Sequence, residues 1–86
     1  MTERTGNPGT DLELAGAPGD VVEAVWAQAL GQDTVDPDVG FFDLGADSAT
    51  VLGVVRVLRR RWPRIRVVDV FAHPTAALLA AFLDDV

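Results

Sequence analysis

Ser48 ends the run Phe41-Phe42-Asp43-Leu44-Gly45-Ala46-Asp47-Ser48, where a hydroxyl follows a glycine-bearing turn and opens a strongly patterned apolar segment. A hydroxyl at the positive end of a helix is expected to be exposed, and a phosphate attached to it would meet amides that lack partners within the helix. The plainer role of a Ser in this position is to cap the helix. Catalysis by the hydroxyl needs more, namely a base in reach and an acid to orient that base. The one histidine, His73, is held between Ala72 and Pro74 at a helix end, and Ala46 to Thr50 lacks the two glycines that flank a nucleophile elbow. Both facts argue against hydrolase chemistry, so no catalytic residue is assigned. A metal site is not expected either. His73 stands alone, Cys is absent, and the acid pairs Asp36/Asp38 and Asp84/Asp85 match no calcium-loop spacing.

The remaining candidate is a group of arginines, Arg59, Arg60 and Arg61, with Arg56, Arg64 and Arg66 close by. Arginines at one helix end can track phosphates, but no aromatic residue is interleaved for base stacking. The net charge of -6 also opposes a polyanion. That charge is unevenly spread. Residues 1 to 47 hold ten acids against Arg4, a balance of -9, and residues 48 to 86 hold six arginines against Asp69, Asp84 and Asp85, a balance of +3. No nucleic-acid partner is expected. The cluster reads as a solvated helix terminus or as a docking surface for an acidic protein.

Positioning these residues falls to a chain of 86 residues, 49% hydrophobic and 23% charged, which is enough for one small domain. No stretch approaches the ~18 to 20 apolar residues of a membrane span, and no secretory signal pattern opens the chain, so no membrane partner and a cytoplasmic location are expected. Residues 1–19 hold Gly6, Pro8, Gly9, Gly16, Pro18 and Gly19 among polar residues and read as a flexible leader. The domain is expected over 20–86. Asp20, with Glu23 as its capping-box partner, predicts a first helix over 21–30, with Val22, Val25, Trp26 and Ala29 on one face and Gly31 at its end. The turn formers Asp33, Asp36, Pro37, Asp38, Gly40 and Gly45 predict a long loop from 32 to 47, pinned into the core by Val39, Phe41, Phe42 and Leu44.

Val51, Val54, Val55, Leu58 and Trp62 recur at helical spacing and predict a second helix of nearly four turns from Ser48, stopped by Pro63. Residues 66 to 72 are short and apolar; with no other strand to pair with, a short helix is expected. Thr75 caps a last helix with Leu78, Leu79, Phe82 and Leu83 at helical spacing. The fold class is therefore all-α, a four-helix bundle with a short third helix. Its expected core is Val51, Val54, Val55, Leu58, Phe71, Leu78 and Phe82, and a monomer is expected.

Two motifs make the chain resemble the phosphopantetheine-dependent acyl and peptidyl carrier proteins. That family shows F-F-x-L-G-x-[DH]-S before its second helix and F-x-x-P-T before its last, which here read Phe41 to Ser48 and Phe71-Ala72-His73-Pro74-Thr75. The resemblance covers about residues 20 to 85. It implies an acyl-carrier-protein-like bundle in which Ser48 bears covalent 4'-phosphopantetheine, taken from coenzyme A by a separate phosphopantetheinyl transferase. The arm's thiol would hold cargo as a thioester, and the carrier itself would not be an enzyme. Asp47 resembles the family's acidic neighbour and is a candidate for transferase docking.

Ala49, Leu52 and Arg56 are candidates for the partner surface. The implied partners are the transferase, an adenylation or acyl-loading enzyme, and condensation, ketosynthase or tailoring enzymes. Ala49 stands where the family mostly has Leu, and the second helix has no acid after Ser48, unlike the acidic second helix of fatty-acid carriers. The basic second helix disfavours a fatty-acid role, and with the Phe-Phe-Asp-Leu-Gly stretch it resembles both peptidyl carriers and secondary-metabolite polyketide carriers; of these a peptidyl carrier of nonribosomal-peptide assembly is expected, free-standing because the chain has its own Met1. The alternatives are an acyl carrier of a polyketide pathway and an unmodified helical interaction module.

Overall fold

The computed structural model describes residues 14–85. Helix α1 (Pro18–Leu30) starts on a proline at its first turn, with Ala17 in extended conformation before it and no side-chain cap. Proline suits this place because its fixed φ is helical and its missing N–H would have had no partner. The start lies three residues before the expected one. Asp20 is therefore inside the first turn and does not cap it, and position 19/20, the expected edge of the leader, falls within α1. Residues 1–13 of that expected leader lie outside the described residues. Gly31 ends the helix at φ 69°, and the Gln32 N–H donates to Ala27 O at 2.9 Å, which satisfies a carbonyl the last turn would leave open.

Helix α2 (Ser48–Leu58) is shorter than expected. The residues after it turn on short-range bonds, Arg60 N to Val57 O and Arg61 N to Leu58 O, both 3.1 Å, and Trp62 N–H then reaches back to Leu58 O at 2.8 Å. This tightening keeps Trp62 on the buried side although it is beyond the helix, and Pro63 supplies no further donor. Helix α3 (Val67–Ala72) is the expected short helix. Its start is held by Asp69, buried, whose Oδ2 accepts the Arg66 N–H at 2.8 Å. Helix α4 (Ala76–Asp84) is capped by Thr75, whose Oγ1 accepts the Leu78 N–H at 3.1 Å, as expected.

The four helices form an all-α bundle in which α1 packs on α4 and α2, and α2 packs on α3. Among the described residues there is no strand, only an isolated bridge between Gly40 and Thr75. The centre is the stacked pair Trp26 and Phe41, fully buried, with ring centroids 3.8 Å apart. Such pairs contribute about 0.5–1.5 kcal/mol beyond burial. Around it close Val21, Val22, Val25, Leu58, Ile65, Val70, Leu79 and Leu83.

The expected core is correct for Val51, Val54, Val55 and Leu58 and needs correction at three places. Phe71 and Leu78 are exposed, at 49% and 51%, and Phe82 is half-buried beside His73. Helix α4 is apolar almost all round, so its spacing supports two rows. Packing against α1 selects Ala76, Leu79, Ala80 and Leu83. Ala29, expected on the buried face of α1, is exposed, and Val21 is buried in its stead.

Candidate functional site

The loop before α2 is built around Phe41. With its ring in the core, its backbone organises the turn: the Ala46 and Leu44 N–H groups both donate to Phe41 O at 3.1 Å, and Gly45 takes φ 107° where a side chain would be strained. The same residue ties the loop to the second motif, because Phe41 N–H donates to Pro74 O at 2.7 Å. Ala77 N–H donates to Pro37 O at 3.0 Å and completes the seam. Phe41-to-Ser48 and Phe71-to-Thr75, thirty residues apart in sequence, are thus one hydrogen-bonded unit. Phe42 does not pin the loop from within, as expected of it. It is 41% exposed and stacks on Phe71 at 5.3 Å, outside the core. Val35, passed over in the sequence because it is a single Val among turn formers, is buried and takes part in the anchoring.

Asp47, not Ser48, caps α2. Its Oδ1 accepts both the backbone N–H and the hydroxyl of Thr50, each at 2.9 Å. These two bonds, the backbone one first, hold the carboxyl below its ordinary range, so it is ionised at neutral pH. Ser48 is the first residue of the helix, exposed, and among the described residues no side-chain hydrogen bond engages its hydroxyl. The Ser48 hydroxyl is therefore unengaged on an exposed residue at the positive end of α2. A Cβ added at Gly45, three residues before Ser48, would meet nothing within 4 Å, so the turn leading to the hydroxyl is open to solvent.

A covalently attached flexible arm suits this site, since it requires an accessible hydroxyl and free space and no enclosing cradle. His73 is committed elsewhere, ending α3 with its ring stacked on Phe82 at 4.5 Å. Among the described residues no cluster of three or more His, Cys, Asp or Glu could hold a metal ion. No helix there is long and apolar enough to cross a membrane.

Ala49, Leu52 and Arg56 all lie exposed on α2, on the side opposite its buried face. The arginine group is divided. Arg61 donates from one guanidinium nitrogen to Leu14 O at 2.8 Å and Gly16 O at 2.7 Å, and lies 4.5 Å over the Trp62 ring. Arg59 Nε donates to Ile65 O at 2.9 Å. These two are internal ties, which corrects their reading as a solvated terminus.

Residues 20–83 match the family described as "Phosphopantetheine attachment site". The chain is 37% identical over 79 residues, 90% of its length, to the nonribosomal peptide synthetase gloA of Glarea lozoyensis. It is 35% identical over 65 residues, 76% of its length, to a plipastatin synthase polypeptide of Bacillus subtilis. To a phenolphthiocerol/phthiocerol polyketide synthase polypeptide of Mycobacterium tuberculosis it is 33% identical over 63 residues, 73% of its length. The matches span 1%, 2% and 4% of those proteins.

Among solved structures, a nonribosomal PCP domain is 41% identical with a TM-score of 0.65, over 80% of this chain and 90% of that one. BlmI, a type-II acyl carrier protein of Streptomyces verticillus involved in bleomycin biosynthesis, shares the fold at a TM-score of 0.76 and 21% identity, over 80% and 84% of the two chains.

Proposed function

The chain belongs to the phosphopantetheine attachment-site family, the carrier domains, and from that premise we propose that Ser48 is the attachment residue of a cytoplasmic peptidyl carrier serving nonribosomal-peptide assembly. The observation that carries this reading is the division of labour at the start of α2. Asp47 performs the capping, and the Ser48 hydroxyl is left exposed and unengaged inside the matched segment. When bound, 4'-phosphopantetheine supplies a flexible arm ending in a thiol that can carry an acyl group as a thioester, chemistry that this cysteine-free chain has no side chain for.

The protein's own residues then have three tasks. Ser48 offers the oxygen for attachment at a helix end whose dipole favours an anion. Asp47 holds that end in shape and presents a fixed negative charge beside it, where we place the docking of the transferase. Ala49, Leu52 and Arg56 face the enzymes that load and unload cargo, and the chain performs no catalytic step of its own. The 41% identity to a PCP domain supports the peptidyl reading. The 33% identity to a polyketide synthase favours, as the second reading, an acyl carrier of a polyketide pathway.

Intact-protein mass tests the proposal, measured before and after incubation with coenzyme A, magnesium and a promiscuous phosphopantetheinyl transferase, with Ser48→Ala in parallel. A gain of one phosphopantetheinyl group in the wild type alone is expected. No gain from a folded wild type with several transferases, or a gain retained by Ser48→Ala, overturns the assignment, and the first result turns the reading toward an unmodified interaction module.

A further inference from the structure

We propose that Thr50 is a positioning residue for attachment at Ser48: its hydroxyl holds the Asp47 carboxylate in one place, as a stationary anion on which a basic group of the transferase docks. This role rests on the carrier reading and on docking of the transferase at Asp47. One of the two bonds at this corner is not required by the helix. Capping needs an acceptor for a free amide of the first turn, and Asp47 Oδ1 meets that need by accepting the Thr50 N–H at 2.9 Å. The Thr50 hydroxyl donates to the same oxygen, also at 2.9 Å, and satisfies no backbone group by doing so.

A threonine in a helix has an ordinary use for its hydroxyl, a carbonyl three or four residues back. Thr50 turns its hydroxyl to the carboxylate instead. The effect falls on Asp47. An aspartate side chain has two torsions, and the backbone of Asp47 is set in extended conformation at the helix start. One bond would leave the carboxylate to pivot about the accepting oxygen. Two donors that converge on Oδ1 from a single β-branched residue leave the second oxygen little freedom.

The charge held in this way is uncompensated. Among the described residues no ion pair engages Asp47, and the first basic residue on α2 is Arg56, about 13 Å further along the axis. Salt screens exposed charges over roughly 10 Å. Beside the carboxylate stand the unengaged Ser48 hydroxyl and Ala49, whose side chain is a single methyl. A cationic group that meets a fixed carboxylate here is placed one residue from the oxygen to be modified. A mobile carboxylate would hold that group less tightly, because ordering it on binding costs entropy. The contribution therefore belongs to the encounter with the transferase and not to the chemical step.

The test is attachment kinetics on the full chain, followed by intact mass with coenzyme A, magnesium and the promiscuous transferase, at carrier concentrations that separate kcat from KM. Thr50→Val keeps the backbone N–H and the branched shape and removes the hydroxyl; it should raise KM about fivefold and leave kcat within about twofold. Thr50→Ala, a better helix former that also lacks the hydroxyl, should give the same split. Thr50→Ser restores the donor and should restore KM. In an Asp47→Ala background, Thr50→Val should add nothing, since no carboxylate is left to hold. Circular-dichroism melts check that each variant is folded.

Unchanged KM in Thr50→Val and Thr50→Ala overturns the proposal. So does a fall in kcat beyond about twofold, a Thr50→Ser chain as impaired as Thr50→Val, or a loss that persists without Asp47, since in each case Thr50 acts other than by its hydroxyl on the carboxylate. These outcomes arise with a wild type that gains the phosphopantetheinyl group, so they remove the positioning role and leave the carrier reading standing. A folded wild type that gains no mass removes the carrier reading, and the positioning role with it.

Discussion

Asp47 accepts two hydrogen bonds from Thr50 at 2.9 Å and so closes the end of α2 that a Ser48 hydroxyl would otherwise close. Two adjacent polar residues thereby differ: Asp47 caps the helix, and Ser48 is left unengaged for the attachment proposed above. The pH dependence of stability should show this. Asp47 has its carboxyl held below the ordinary 3.8 by the Thr50 bonds in the folded state, so its contribution is fully present above that value and is lost as pH falls through the lowered pKa. Asp47→Ala should therefore lower Tm at pH 6, and the gap to wild type should close toward pH 2. Asp47→Asn should retain most of the cap, because an amide oxygen can accept the same bond, and should lose the pH-dependent part. Thermal melts from pH 2 to 6 check both. Ser48→Ala should leave Tm unchanged over this range, since the hydroxyl caps nothing.

At the scale of the element, α4 is the informative case. Its residues Leu78, Leu79, Phe82 and Leu83 all stand at helical spacing, yet only Leu79 and Leu83 are fully enclosed. Leu79→Ala should cost about 2–5 kcal/mol, because the cavity it leaves is walled by α1 and cannot collapse fully. Leu78→Ala, at a position 51% exposed, should stay within about 1 kcal/mol. Urea denaturation of the pair distinguishes the rows, and similar losses would mean that the helix is rotated from the orientation described. Helix α2 teaches the converse. Its buried face is continuous from Val51 to Trp62 in the sequence pattern, but the helix stops at Leu58 and the tightened turn carries Trp62 inward.

The whole molecule is held by ties between distant segments. The segment before α1 is clasped to the turn after α2 by Arg61, 45 and 47 residues away in sequence, while Leu14 packs against the core. The loop that leads to Ser48 is sewn to the α3–α4 junction through Pro74 O and Pro37 O. The two seams are separate, which gives a prediction. Arg61→Ala should speed amide hydrogen exchange in the first turn of α1, at Val21 above all, whose N–H donates to Ala17 O, by roughly tenfold, equivalent to about 1.4 kcal/mol of local opening. The extent of Ser48 modification should not change. Loss of both together would show that the two seams are coupled.

Local pattern alone determined the presence of four helices, the buried face of α2, the stop at Gly31, the Thr75 cap and the spacing of the two motifs around Ser48. These are legible because capping and amphipathic periodicity act within a few residues. Tertiary packing decided what local chemistry leaves degenerate. Leu79 and not Leu78 faces inward because α1 lies there, and Phe42 and Phe71 stack outside because Phe41 already fills the space against Trp26. Asp47 and not Ser48 is the cap, because Asp47 is the residue in extended conformation before the helix and its carboxylate reaches the Thr50 N–H. Arg59 and Arg61, alike in sequence to Arg60, are separated from it only by carbonyls that the folded chain brings within 3 Å.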